Sequence, residues 1–313
     1  LGGGLSAQFA PSGHILGSAF VTLTDESRQV VFSGDLGRPN DPIMRTPRPL
    51  QTADDLLIES TYGDRRHEQT DPADELEAII TRTIRRGGVV VIPAFAVGRA
   101  QSLLYYVAQL KAAGRIPADL PVYLNSPMAV DVTGLYERFA DEHRLDAKAC
   151  AAMCHVAKYV DTVEESKRLN EMRMPMIIVA ASGMATGGRV VHHLKAFAPD
   201  PRNTILFSGY QAAGTRGAAM LGGAKTIRIH GADVPVRAEV AVISSLSAHA
   251  DYAETLQWLG HFKSPPQTTF ITHGEPVAAD ALRQHIERAL HWNTHVAEYR
   301  ESVDLDDVQH IRR

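Results

Sequence analysis

Between residues 71 and 221 short, continuous apolar runs alternate with longer stretches whose apolar positions recur at helical spacing. The segment DPADELEAIITRTIRRGG (71–88) opens on Asp71 as N-cap with Pro72 at the first helical position, and it stops at glycine. Its apolar face is Leu76, Ile79, Ile80 and Thr83. The strand-like run VVVIPAF then precedes the helical GRAQSLLYYVAQLKAAG, and PVYLN precedes AVDVTGLYERFADEH. Further on, MIIVAAS leads into GGRVVHHLKAF and TILFSGY into TRGAAML. Unbroken apolar strands separated by amphipathic helices predict a parallel sheet covered on both faces.

The flanks have another rhythm. Residues 5–59 read as strands joined by turns, among them the hairpin-like TDESR, and end on DLLIES. Residues 225–300 return to strands in KTIRIHG, VRAEVAVIS and TTFITHG, with helices after 251 and 276. The simplest organisation is one domain split in sequence, 1–60 and 241–313, with an α/β domain inserted at 61–240.

Composition narrows this little. Of 313 residues, 44% are hydrophobic and 22% charged, as in ordinary globular proteins, and no apolar run is long enough to span a membrane. Two cysteines, Cys150 and Cys154, make no disulfide framework and fit a reducing, cytoplasmic setting. In CAAMCH (150–155) their spacing matches no standard zinc pattern, so they are expected as helix residues. The formal charge of −4 neither proposes nor excludes a polyanionic ligand, so a local site must decide.

Candidate chemistry sits at the strand ends. His14 in PSGHILGSA, Asp35 in VVFSGDLG, Glu59 in LLIESTYGD and His273 in FITHGE each follow a strand, beside glycine or serine. His249 in VISSLSAHAD makes a fifth, flanked by side chains too small to cover it. Ligands gather at strand ends because loops converge there while the sheet fixes their roots. Histidine and aspartate together are the usual ligands of zinc. Singly each has a plainer reading: a satisfied histidine, an aspartate turn, a surface glutamate.

The ordered set GHILGSA, FSGDLG, IESTYGDR, PAFAVGRAQ, SGY…GT, SLSAHADY and THGE resembles the β-CASP family of the metallo-β-lactamase superfamily. The resemblance is to its RNA-processing branch, which includes the endonuclease subunit of the eukaryotic mRNA 3′-end cleavage complex and its prokaryotic relatives. It covers about residues 8–300 and implies an αββα hydrolase domain, incomplete here, with an inserted parallel-sheet β-CASP cap. It makes His14 and His273 metal ligands and Asp35 the carboxylate bridging two zinc ions. His249 becomes the proton donor that Glu59 orients.

The family's HxHxDH segment, which supplies four further ligands, is absent from the sequence. Since Leu1 is not an initiator methionine and the chain starts just before the His14 motif, a longer protein carrying that segment is expected. The competing expectation is an inactive RNA-binding or scaffold homologue. In the cap, Gly98-Arg99, Ser182-Gly183 and Ser208-Gly209 with Thr215-Arg216 follow strands, where backbone N–H groups and guanidinium meet phosphate. Each loop is equally readable as a tight turn; three together favour a phosphate-tracking groove. The expected activity is zinc-dependent hydrolysis of single-stranded RNA, with DNA and a small-ester substrate less favoured. A homodimer is a further expectation, and no membrane partner is.

Overall fold

The structure, a computed structural model, describes residues 2–306. One unit runs to His67 and resumes at Ala248; the other is Glu68–Ser247.

The first unit begins with β1 (Ser6–Pro11), β2 (Ala19–Thr24), β3 (Gln29–Phe32) and β4 (Asp55–Glu59). The second contains α1 (Pro72–Arg85), β5 (Val89–Pro93), α2 (Arg99–Ala112), β6 (Val122–Asn125), α3 (Pro127–Arg138) and α4 (Ala147–His155). It continues with β7 (Lys158–Tyr159), α5 (Val163–Glu171), β8 (Met176–Ala180), α6 (Val190–Phe197), β9 (Thr204–Phe207) and α7 (Arg216–Leu221). It closes with β10 (Thr226–Ile229), β11 (Ala232–Pro235) and β12 (Glu239–Val242). The chain then returns to the first unit for α8 (Tyr252–Leu259), β13 (Thr268–Thr272), α9 (Pro276–Leu290) and β14 (Thr294–Val296).

The sheet of the first unit has the order β1-β2-β3-β4-β13-β14. β1, β2 and β3 pair antiparallel, whereas β3, β4, β13 and β14 run parallel. Its buried side packs Phe20, Leu56 and Ile58 against Trp258 of α8 and Leu282 of α9. The consequence for chemistry is directional. Three adjacent parallel strands, β3, β4 and β13, end on one edge of the sheet, and β1 points the same way.

The sheet of the second unit is parallel throughout, in the order β12-β9-β5-β8-β6-β7. Every residue of β5, β8 and β9 is buried, which is why these strands read as continuous apolar runs rather than alternating ones. Asp71 caps α1 by accepting from the Ala73 N–H, and Leu76, Ile79, Ile80 and Thr83 are buried. Cys150 and Cys154 are buried in α4, and burial raises both thiols, that of Cys154 to about 12.

The segments KTIRIHG and VRAEVAVIS do not join the strands of the first unit. The first forms the β10–β11 hairpin, and the second contributes only β12, paired in parallel with β9. Glu239 holds that edge strand to α1 by accepting from Arg82 and Arg86. Among the described residues no helix is long and apolar enough to cross a membrane.

Candidate metal centre and its acid–base pair

Five side chains far apart in sequence meet at the carboxyl edge of the first unit's sheet. Asp35 follows β3, Glu59 ends β4, His273 follows β13, and His14 lies in the loop after β1. The β4–β13 register sets Glu59 beside Thr272, so His273 emerges next to it. His273 itself takes the left-handed conformation, with φ of 54°, unusual for a side chain of its size and a feature common at functional sites. Thr61 Oγ1 donates to the His273 carbonyl at 3.1 Å and lies 3.3 Å from its Nδ1.

The His14 and Asp35 loops touch through glycine. A Cβ at Gly37 would lie 2.1 Å from the Gly13 carbonyl and 2.5 Å from the His14 nitrogen, so only glycine permits the approach. Ser18 Oγ accepts from the backbone N–H groups of His14 and Ile15, which fixes the turn.

Asp35 serves two histidines with its two oxygens. Oδ2 is 3.6 Å from His14 Nε2, and Oδ1 is 3.4 Å from His273 Nδ1. Two ligands of one tetrahedral zinc, each about 2.0–2.2 Å from the ion, stand about 3.3–3.6 Å apart. The donor set therefore fits a metal on each side of Asp35. Burial, then the neighbouring His249, lower the His14 pKa to about 4 against the opposing pull of Asp35 and Glu59. His14 is thus a neutral imidazole at neutral pH, with a lone pair to offer.

Glu59 and His249 form a separate pair. His249 Nδ1 donates to Glu59 Oε1 at 2.9 Å, with Oε2 at 3.1 Å. Glu59 Oε1 also accepts from the Leu36 N–H at 2.6 Å, and Oε2 from the Thr61 N–H at 3.2 Å. Burial alone would raise the Glu59 pKa; the His249 hydrogen bond and charge, with these N–H donors, outweigh it and hold the carboxyl below the usual range. An ionised carboxylate only accepts, so it fixes the proton on Nδ1 and makes Nε2 the unprotonated nitrogen of the neutral ring. The His249 ring centroid is 4.3 Å from that of His14 and 6.2 Å from that of His273. Donor atoms of His14, Asp35 and His249 all lie within 4.8 Å of one another.

No strand delivers His249. After β12 the chain makes a short turn at Ser244–Leu246, and His249 is then held by an isolated bridge to Gly37. The Ala250 N–H donates to the Leu36 carbonyl at 2.8 Å. His67 completes the clasp. Its Nε2 donates to the His249 carbonyl at 2.8 Å, while its backbone N–H donates to Asp251, the N-cap of α8. Sequence reasoning passed over His67 because its partner is a backbone carbonyl, which leaves no pattern in side chains.

The residues expected in the cap divide. Arg99 opens α2, and a Cβ at Gly209 would lie 3.8 Å from its Nη2, so the loops after β5 and β9 meet there. Ser208 is buried at the end of β9. Ser182 closes its own loop, accepting from the Gly187 N–H at 3.3 Å. Arg216 is turned elsewhere: it donates to the carbonyls of Arg228, Ala185 and Thr186, clasping the β10–β11 hairpin to the loop after β8.

Comparison with known proteins finds two matching domain families. The β-CASP domain family matches residues 100–220, and the Zn-dependent metallo-hydrolase RNA specificity domain matches residues 233–297. The chain is 40% identical over 281 residues to ribonuclease TTHA0252 of Thermus thermophilus, covering 87% of this chain and 63% of that protein. It is 32% identical to the transcription termination factor FttA of Methanosarcina mazei, covering 95% of this chain and 49% of the relative. An RNase J-like protein of Methanocaldococcus jannaschii is 33% identical, with 86% and 63% covered. The chain thus spans less than two thirds of the length of these relatives. With a metallo-β-lactamase fold carrying a β-CASP insertion, the chain belongs to the β-CASP family of the metallo-β-lactamase superfamily.

Proposed function

We propose that this chain is the larger part of a zinc-dependent ribonuclease that hydrolyses phosphodiester bonds of single-stranded RNA. The observation that carries the reading is the Glu59–His249 hydrogen bond beside the His14–Asp35–His273 cluster. His14, Asp35 and His273 would hold two zinc ions, with Asp35 shared between them. Zinc, when bound, supplies Lewis acidity that activates water and neutralises charge on the scissile phosphate.

The protein's own part is the proton. A ribose 3′-oxygen leaves poorly unless it is protonated. His249, fixed through Nδ1 by an ionised Glu59, presents Nε2 as the donor to that oxygen. Glu59 both sets the ring's orientation and stabilises its charged form as the proton is held. The Leu36 and Thr61 N–H groups keep the carboxylate in place. The names of the relatives, a ribonuclease and an RNase J-like protein, support RNA as the substrate.

The test compares the full chain with His249→Ala and Glu59→Gln on a single-stranded RNA oligomer, with metal analysis of each protein. Cleavage is expected to fall about 100-fold to 10,000-fold in His249→Ala, the range general acid catalysis contributes, with zinc content nearly unchanged. Zinc lost together with activity in His249→Ala makes His249 a ligand and sinks the general-acid role.

A further inference from the structure

The loop after β5 carries Phe95, a residue 48% exposed. Its position in the sheet gives that exposure meaning. β5 lies between β9 and β8; the chain leaves β5 for β6 on one side, and later leaves β8 for β9 on the other. Connections thus reverse direction around β5, and carboxyl ends at such a reversal are where parallel sheets bind ligands.

The loops after β5, β8 and β9 meet there. The Ala94 N–H donates to the Ala180 carbonyl at 3.0 Å. A Cβ at Gly183 would stand 2.8 Å and 2.9 Å from Cδ2 and Cε2 of the Phe95 ring. Gly183 is outside the left-handed region, so the approach of the ring is what demands glycine there. The phenyl ring is therefore seated against the loop after β8 rather than loose. Four residues on, Arg99 begins α2 beside Gly209. The first N–H groups of that 14-residue helix are already used, Arg99 donating to the Val97 carbonyl at 2.9 Å and Ala100 to the Phe95 carbonyl at 3.1 Å, which ties the Phe95 loop to the helix; its first turn carries no acidic residue to repel an anion.

An exposed, seated aromatic ring in the same loop as a guanidinium matches the two halves of a nucleotide. We propose that Phe95 is a base-stacking platform on which one nucleobase of a single-stranded RNA lies, its adjoining phosphate on the Arg99 side. The proposal rests on the RNA reading above and gives that reading its strand selectivity. A base in a duplex has both faces covered, so stacking on Phe95 favours unpaired RNA with little preference for base identity.

The experiment measures binding of a single-stranded oligoadenylate RNA, and of the same oligomer with abasic positions, to the full chain and to Phe95→Ala, Phe95→Leu and Phe95→Trp. Phe95→Ala and Phe95→Leu are expected to bind the intact oligomer roughly 5-fold to 150-fold more weakly, the span of one lost aromatic–base stack. Phe95→Trp keeps the affinity, and its indole fluorescence is quenched by the intact oligomer but not by the abasic one. On the abasic oligomer all four proteins bind alike. Wild-type affinity in Phe95→Ala and Phe95→Leu overturns the platform, as does an equal loss on intact and abasic RNA, which marks a structural role. If binding depends on Phe95 but the parent chain cuts no RNA, the platform stands and the nuclease reading falls. If the parent chain cuts RNA with no dependence on Phe95, the reverse holds. If the parent chain binds neither oligomer, both fall.

Discussion

Glu59 shows how one buried residue is made to do charged work. It is 4% exposed, and a lone carboxylate at that depth would take up a proton rather than stay ionised. Two backbone N–H groups and a histidine reverse the balance. His193, buried in α6 of the second unit, shows the opposite solution. Arg189 donates to Asn125 Oδ1, which turns the Asn125 amide so that its nitrogen donates to Ser166 and to His193 Nε2. His193 Nδ1 therefore carries the proton and donates to Asn170 Oδ1 at 2.7 Å. A second proton on Nε2 would face a donor, and burial lowers the pKa from 6.5 to about 4. The folded form thus refuses a proton that the unfolded chain accepts. Stability from this group is full above pH 6.5 and is lost as pH falls toward 4. Between pH 7 and pH 5 the second unit should lose about 2 kcal/mol through His193, from the linkage relation. Urea unfolding at the two pH values, compared between the parent and His193→Gln, measures this. An equal pH dependence in both would remove His193 from the account.

At the scale of elements, direction matters more than length. β3, β4 and β13 are short, yet being parallel neighbours they deliver Asp35, Glu59 and His273 to one edge. The apolar periodicity of α1, and the unbroken runs of β5, β8 and β9, were legible because burial on one face or on both writes itself into residue type. The sheet that β12 joins was not legible. Its four residues carry no signal for choosing a partner strand, and the choice was made by the open edge of β9. Loop contacts are as decisive as strands. Gly37→Ala should force the Asp35 and His14 loops apart and destabilise the first unit by about 1–3 kcal/mol, as overpacking does. Its metal content should fall with it, since both loops carry donors. Denaturant midpoints and metal analysis report the two effects together, and a variant with full metal content and unchanged midpoint would show that the loops can yield.

For the whole molecule, charge sets the kind of binding expected. A formal charge of −4 gives no general attraction for a polyanion, so the RNA affinity of the proposed function has to come from a few local contacts. Each phosphate neutralised on a single strand contributes about −0.7 to the slope of log K against log salt. The slope is therefore expected between roughly −1 and −3, the mark of a few phosphates rather than a long basic track. A titration of RNA affinity between low and moderate salt checks it; a much steeper slope would demand a basic surface that the five-residue centre and the Arg99 loop do not supply.

The amino-acid sequence by itself determined which chemical groups the protein owns and where along each strand they fall, because burial and turn geometry constrain residue type locally. It also marked the helices and the continuous strands of the inserted unit for the same reason. Only the tertiary structure decided that β3, β4 and β13 are parallel neighbours, that His249 hangs from Gly37 and His67 rather than from a strand, and that Arg216 is spent on backbone carbonyls. Those outcomes depend on pairing and hydrogen bonding between distant segments, mostly through main-chain groups, and every residue type carries the same main chain.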